Sequence, residues 1–149
     1  MADKLSRARR SENMRRIRSV GMRPELAVRS LVHGMGYRYR LHASELPAKP
    51  DLVFRARSAA VLVHGCFWHQ HSRKACLDGR LPKTNKTYWI PKLKRNVLRD
   101  RRNIRKLRRA GWRVLVIWEC ETNDVSVLKR RLKTFLGTRR IRVRARAQR

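Results

Sequence analysis

Apolar positions along the chain fall into blocks whose spacing switches between helical and strand-like. Leu26, Ala27, Leu31 and Met35 recur at helical spacing behind Pro24, a residue suited to a helix's first position, and Gly34 or Gly36 can end that helix. Residues 37–41 alternate bulky and basic side chains, as a half-exposed strand does. A loop over 44–50 leads to two strands, 51–55 and 59–63, joined by the polar turn Ala56-Arg57-Ser58. Residues 66–85 lack periodicity, contain Gly79, Pro82 and Asn85, and read as one long loop. Trp89, Leu93, Val97, Ile104 and Leu107 then form one stripe of a long helix closed by Gly111. The run VLVIW at 114–118 is another buried strand. Asp124 can cap a last helix carrying Val125, Leu128, Leu132 and Phe135, which Gly137 ends. The order α-β-β-β-α-β-α predicts an α/β or α+β domain with a central mixed sheet flanked by helices. The long helix permits one parallel crossover.

Composition then narrows the partner. The 149 residues suffice for one domain with a single core. Lys and Arg number 40 against 10 Asp and Glu, a formal net charge of +30, so a folded domain of this kind expects a polyanion. A hydrophobic content of 42% excludes a chain that is disordered throughout. Nucleic acid is the first candidate and an anionic membrane surface the weaker one, because no apolar stretch approaches the ~18 residues of a membrane span. The first 23 residues are basic without an apolar segment, unlike a signal peptide, and imply a cytoplasmic protein. The division is a basic arm over 1–23, a folded domain over 24–137 and an arginine-rich tail over 138–149. Three cysteines, an odd number, argue against a self-contained disulfide framework.

The richest chemistry lies in VLVHGCFWHQH at 61–71, where three histidines, a cysteine and two large aromatics follow a buried strand. Cys66, His71, Cys76 and Cys120 supply a Cys3His set suited to tetrahedral zinc, which would tie the long loop to the last strand. Without the tighter CxxC pairs of many zinc sites, spacing leaves open three free thiols beside an unrelated histidine. If the strands on either side of Ala56-Arg57-Ser58 pair, Asp51 and His64 come to one sheet end. There a carboxylate suits Mg²⁺, and His64 or His69 can take or give a proton. The plainer alternatives are a strand-start aspartate and structural histidines. Phe67 and Trp68 cannot easily both turn inward; they are either a wedge that unstacks bases or core packing at a sheet edge. Trp89, Trp112 and Trp118 are expected in the core. Ten Lys and Arg between Lys92 and Arg109, scarcely compensated by acids, predict a phosphate-binding face on the long helix.

Pro50-Asp51, HGCFWH at 64–69, PKTN at 82–85, Asn96 with Arg99-Asp100, and GWRVLVIWEC at 111–120 together resemble the Vsr family of very-short-patch-repair mismatch endonucleases. The match runs from about Ser11 to Cys120 in matching order. The resemblance implies a restriction-endonuclease-like fold and a Mg²⁺-dependent nick in one strand of duplex DNA beside a T·G mismatch, the product of 5-methylcytosine deamination. It implies that Asp51 and the Val63 backbone bind Mg²⁺, that His64 and His69 serve hydrolysis, and that Glu25 supports the shell of metal-bound water. Phe67 and Trp68 resemble the family's intercalating wedge, with Met14 entering from the other groove. Cys66, His71, Cys76 and Cys120 resemble its structural zinc ligands. Val63 stands where the family often has Thr, a change that a backbone contact tolerates and a hydroxyl contact does not. A monomer is expected, with mismatch-repair proteins as candidate partners. The rival expectation is a zinc-stabilised, non-enzymatic nucleic-acid-binding module.

Overall fold

A computed structural model describes residues 23–73, 75–77 and 79–137. The basic arm, with Met14, and the arginine-rich tail lie outside the described residues. Helix α1 (Arg23–Gly34) leads to strand β1 (Arg40–Leu41), strand β2 (Leu52–Phe54), a 3-10 turn (Arg55–Arg57) and strand β3 (Ala59–His64). The long helix α2 (Lys86–Arg109), strand β4 (Arg113–Trp118), a second 3-10 turn (Glu119–Asn123) and helix α3 (Val125–Leu136) follow. The order of elements is the one that periodicity predicts.

The four strands form one sheet in the order β1-β2-β3-β4. β1, β2 and β3 pair antiparallel, with Leu52 opposite Val61 and Val53 opposite Ala60. β3 and β4 run parallel, from Ala59 beside Arg113 to His64 beside Trp118, so α2 is the crossover that a parallel pair requires. Leu52, Phe54, Ala59, Val61 and Ile117 share one face and pack with Val28 and Val32 of α1 and Leu128, Leu132 and Leu136 of α3. Successive strand residues point to opposite faces, so Leu62 and His64 look the other way. They line a cleft there with Arg99, Asp100, Asn103 and Ile104 of α2.

Three expectations shift in detail. Residues 37–41 pair only at Arg40 and Leu41. Tyr37 and Tyr39 still point inward, and their rings meet Phe54 edge-on or tilted at 6.4 and 6.2 Å. Side-chain alternation therefore extends further along the chain than the backbone ladder does. The turn at 56–58 is a 3-10 turn ending in left-handed Ser58, at φ 47°. Trp89, Trp112 and Trp118 are half-buried rather than core residues, because the core face is filled by aliphatic side chains and Phe54. The helix ends behave as read. Asp124 accepts from the Val127 N–H at 3.2 Å, and Gly137, at φ 80°, closes α3.

Candidate active site and metal centre

Register places the first group. Asp51 precedes β2, and pairing of Leu52 with Val61 brings it against the far end of β3. The Val63 N–H donates to Asp51 Oδ2 at 2.7 Å. The Val63 side chain packs on the core, so this residue offers the site only its backbone. Burial pushes the Asp51 carboxyl up to about 6; the Val63 N–H opposes that shift and the nearby Glu25 charge adds to it. Glu25, in the first turn of α1, is buried at 3% exposure and faces His42 Nε2 at 3.0 Å. Glu25, His42 and Asp51 offer ligand atoms within 4.8 Å of one another.

The histidines come together because the chain doubles back after β3. The His69 N–H donates to the Gly65 carbonyl at 3.1 Å, and the His64 and His69 rings stack at 3.9 Å and 8°. Burial, aided by His69, holds His64 down at about 4, so its imidazole is neutral at neutral pH. His69 Nδ1 lies 2.5 Å from Asp100 Oδ2 on α2. Burial acts to raise the Asp100 carboxyl. The hydrogen bond from His69 and the charges of His69, His64 and Arg99 outweigh it and hold the group below its ordinary value. A cleft of about 620 Å³ joins His42, Asp51, His64, His69 and Asp100. His42 is the site residue that sequence reasoning passed over, while Asp100 was named in the motif of the resemblance but given no role. Asp100 had a signal, as the one acid in the 24-residue helix α2. His42 had none.

On the far side of His69 the loop gathers the cysteines. Cys66 Sγ lies 3.8 Å and Cys120 Sγ 3.4 Å from His71 Nδ1, and the Cys120 N–H points at Cys66 Sγ at 3.4 Å. With Cys76, the four ligand atoms lie within 4.8 Å of one another. Thiolates ~2.3 Å from one zinc ion sit ~3.8 Å apart at tetrahedral angles, so the donor set and its spacing fit that metal. Burial pushes the Cys66 thiol up to about 12 and raises Cys120 as well, so these thiols stay protonated without a cation to displace the proton. The surrounding loop is packed to suit. His71 stacks on Trp118 at 4.3 Å, and a Cβ on Gly79 would come within 2.6 Å of the His71 carbonyl. Trp118, edge-on to His64 at 5.3 Å, thus separates the cysteine cluster from the histidine pair.

Phe67 and Trp68 join neither cluster nor the sheet core. Their rings meet each other at 5.3 Å, and Trp89 approaches them at 5.3 and 5.7 Å. The Lys92 ammonium lies 5.7 Å from the Trp68 ring and 5.6 Å from Trp89. Asn96 Nδ2 donates to the Trp68 carbonyl at 3.2 Å and Gln70 Nε2 to the Phe67 carbonyl at 2.6 Å, fixing the loop that carries the rings. A half-buried aromatic ledge with a cation above it therefore adjoins the cleft through His69.

The family profile described as "DNA mismatch endonuclease Vsr" matches residues 2–75. The chain is 48% identical over 136 residues to the Type II nicking enzyme V.XorIIP of Xanthomonas oryzae pv. oryzae, covering 91% of this chain and 98% of that one. It is 41% identical over 120 residues to the DNA mismatch endonuclease Vsr of Escherichia coli, covering 80% of this chain and 75% of that one. The chain belongs to the Vsr family. As a member of it, the protein is a DNA endonuclease, and the rival reading as a non-enzymatic binding module is set aside.

The long helix of this Vsr-family chain carries a dense positive charge. Lys94, Arg95, Arg99, Arg101, Arg102, Arg105, Lys106, Arg108 and Arg109 of α2 are all exposed, and Asp100, turned into the cleft, is the helix's one acid. No helix among the described residues is long and apolar enough to cross a membrane.

Proposed function

We propose that this endonuclease nicks one strand of duplex DNA beside a T·G mismatch by Mg²⁺-dependent hydrolysis, and so initiates very short patch repair in the cytoplasm as a monomer. The observation that carries the reading is the adjacency of cleft and ledge. One loop runs from His64 through Phe67 and Trp68 to His69, so rings that can enter a base step are covalently tied to groups that can move protons. Asp51 and the Val63 carbonyl, with Glu25 nearby, would hold Mg²⁺, which would supply positive charge for the phosphate in the transition state. The neutral His64 ring accepts a proton from the attacking water. His69 is oriented by Asp100 at Nδ1, which leaves Nε2 to give a proton to the leaving oxygen. Cys66, His71, Cys76 and Cys120 would hold Zn²⁺, which would tie the loop to the end of β4 and keep the ledge in place.

Phe67 and Trp68, supported by Trp89, unstack the duplex at the mismatch, where the cost is lowest. Met14, in the arm outside the described residues, is assigned to the opposite groove. The exposed cations of α2 hold the flanking phosphates. The test is a panel of duplexes differing only at one base pair, incubated with and without Mg²⁺. The expected result is a nick in one strand of the T·G duplex, dependent on Mg²⁺, with matched duplexes intact. Equal cutting of matched and mismatched duplexes overturns the reading.

A further inference from the structure

His42 takes no part in the hydrolytic chemistry assigned above, yet the fold holds it at some cost. Its backbone is left-handed, at φ 46°, a region that non-glycine side chains rarely adopt and that folds tend to retain at working sites. The His42 N–H donates to the Asp51 carbonyl at 3.2 Å, continuing the β1–β2 pairing by one residue. The imidazole is thereby turned toward the carboxylates and lines the cleft with Asp51. Its Nε2 meets the Oε1 of buried Glu25 at 3.0 Å.

That distance carries a geometric meaning. Two ligands each ~2.1 Å from one octahedral cation and at right angles to each other are ~3.0 Å apart, while opposite ligands are ~4.2 Å apart. The three ligand atoms of Glu25, His42 and Asp51 lie within 4.8 Å of one another, a span that one cation can hold after shifts of a few tenths of an ångström. A corner built of oxygens alone would suit Mg²⁺. An imidazole nitrogen in the set moves the preference toward first-row transition cations, which bind nitrogen more strongly.

We propose that Glu25, His42 and Asp51 form a mixed nitrogen–oxygen cation site in which His42 is a direct ligand, so that this enzyme binds Mn²⁺ in preference to Mg²⁺. The inference rests on the reading of Asp51 as the cation-binding carboxylate. It adds to that site a nitrogen ligand that favours Mn²⁺ over Mg²⁺ more strongly than oxygens alone do.

The experiment uses the full-length, zinc-loaded protein. Mn²⁺ and Mg²⁺ affinities are measured by calorimetry without DNA, and the bound Mn²⁺ is examined by pulsed electron paramagnetic resonance for a directly coordinated nitrogen. Wild type should show that nitrogen and bind Mn²⁺ at least about tenfold more tightly than Mg²⁺. His42→Gln should lose the nitrogen signal and most of the preference while still binding Mg²⁺. Where Gln fails to fold, His42→Asn, a residue that tolerates a left-handed backbone, takes its place. A nitrogen signal and an Mn²⁺ preference unchanged in a folded His42 variant overturn the proposal and leave Asp51 untouched. Unchanged Mn²⁺ binding by Asp51→Asn overturns both the proposal and the reading beneath it.

Discussion

Asp100 Oδ2 meets His69 Nδ1 at 2.5 Å, and this contact reaches from the middle of α2 to a loop 31 residues earlier in the chain. It fixes which imidazole nitrogen faces the cleft. Asp100→Asn keeps the shape and removes the charge. Its nicking turnover should fall about a hundredfold or more, the scale of a mispositioned acid or base, with little change in duplex affinity. The same variant has a pH signature. The depressed Asp100 carboxyl contributes stability above its unfolded value of 3.8, and that contribution is lost as pH falls through the lower folded value. Wild type should therefore lose more thermal stability than Asp100→Asn between pH 5 and pH 3. Parallel melting curves of the two over that interval would count against the ion pair.

Asp51 gives the opposite sign. Burial raises its carboxyl to about 6, so below that pH a cation at Asp51 must displace a proton. The Mg²⁺ concentration giving half-maximal nicking should rise about tenfold per pH unit below pH 6 and level off above it. A requirement that stays flat from pH 5 to pH 7 contradicts a protonated Asp51 in the cation-free protein.

Much of this site was legible in the sequence, for identifiable reasons. The polar turn Ala56-Arg57-Ser58 between the apolar runs 51–55 and 59–63 predicts a hairpin, and its register brings Asp51 to the His64 end of the sheet. The cysteines and His71 converge because the loop starts at the end of β3 and Cys120 follows the end of β4, its parallel neighbour. The pairing of Asp100 with His69 and of His42 with Glu25 was not legible. Asp100 reaches His69 only through the axial rotation of α2 over the sheet, which the helix's own pattern leaves open. His42 reaches Glu25 only through a left-handed residue just past a two-residue strand, where propensity favours neither state. Trp89 misled for a related reason. It lies on the apolar stripe of α2, but at the end that overhangs the loop, so its neighbours are Phe67 and Trp68 rather than the sheet.

One zinc per chain should accompany protein purified without added metal, as elemental analysis can show. Removing it by chelation should lower the melting temperature, because the cation links the loop to β4 and its binding is part of folding. Zinc should also be lost more readily on acidification, since thiols with raised values compete for protons, Cys66 above all at about 12. Cys66→Ser should abolish retention. Folded, active protein devoid of zinc contradicts the assignment.

Alanine at both Phe67 and Trp68 should reduce the preference for T·G over matched duplex by roughly tenfold or more, the worth of base stacking on one or two rings. Affinity for matched duplex should change little, because phosphate contacts from a chain of net charge +30 dominate it and account for its salt dependence. Affinities for both duplexes at two salt concentrations, beside a thermal melt, separate a lost wedge from a damaged fold. An unchanged ratio in a well-folded variant rules out the wedge.

The central claim is that the cleft around Asp51 breaks the phosphodiester bond next to a mismatch. Single-turnover nicking of an end-labelled T·G duplex, with wild type and Asp51→Asn both saturating and Mg²⁺ in excess, tests it most directly. Wild type should cut one strand rapidly at one position. Asp51→Asn should lose about a thousandfold or more with the duplex still bound. Nicking by folded Asp51→Asn at a rate near that of wild type would place the chemistry elsewhere.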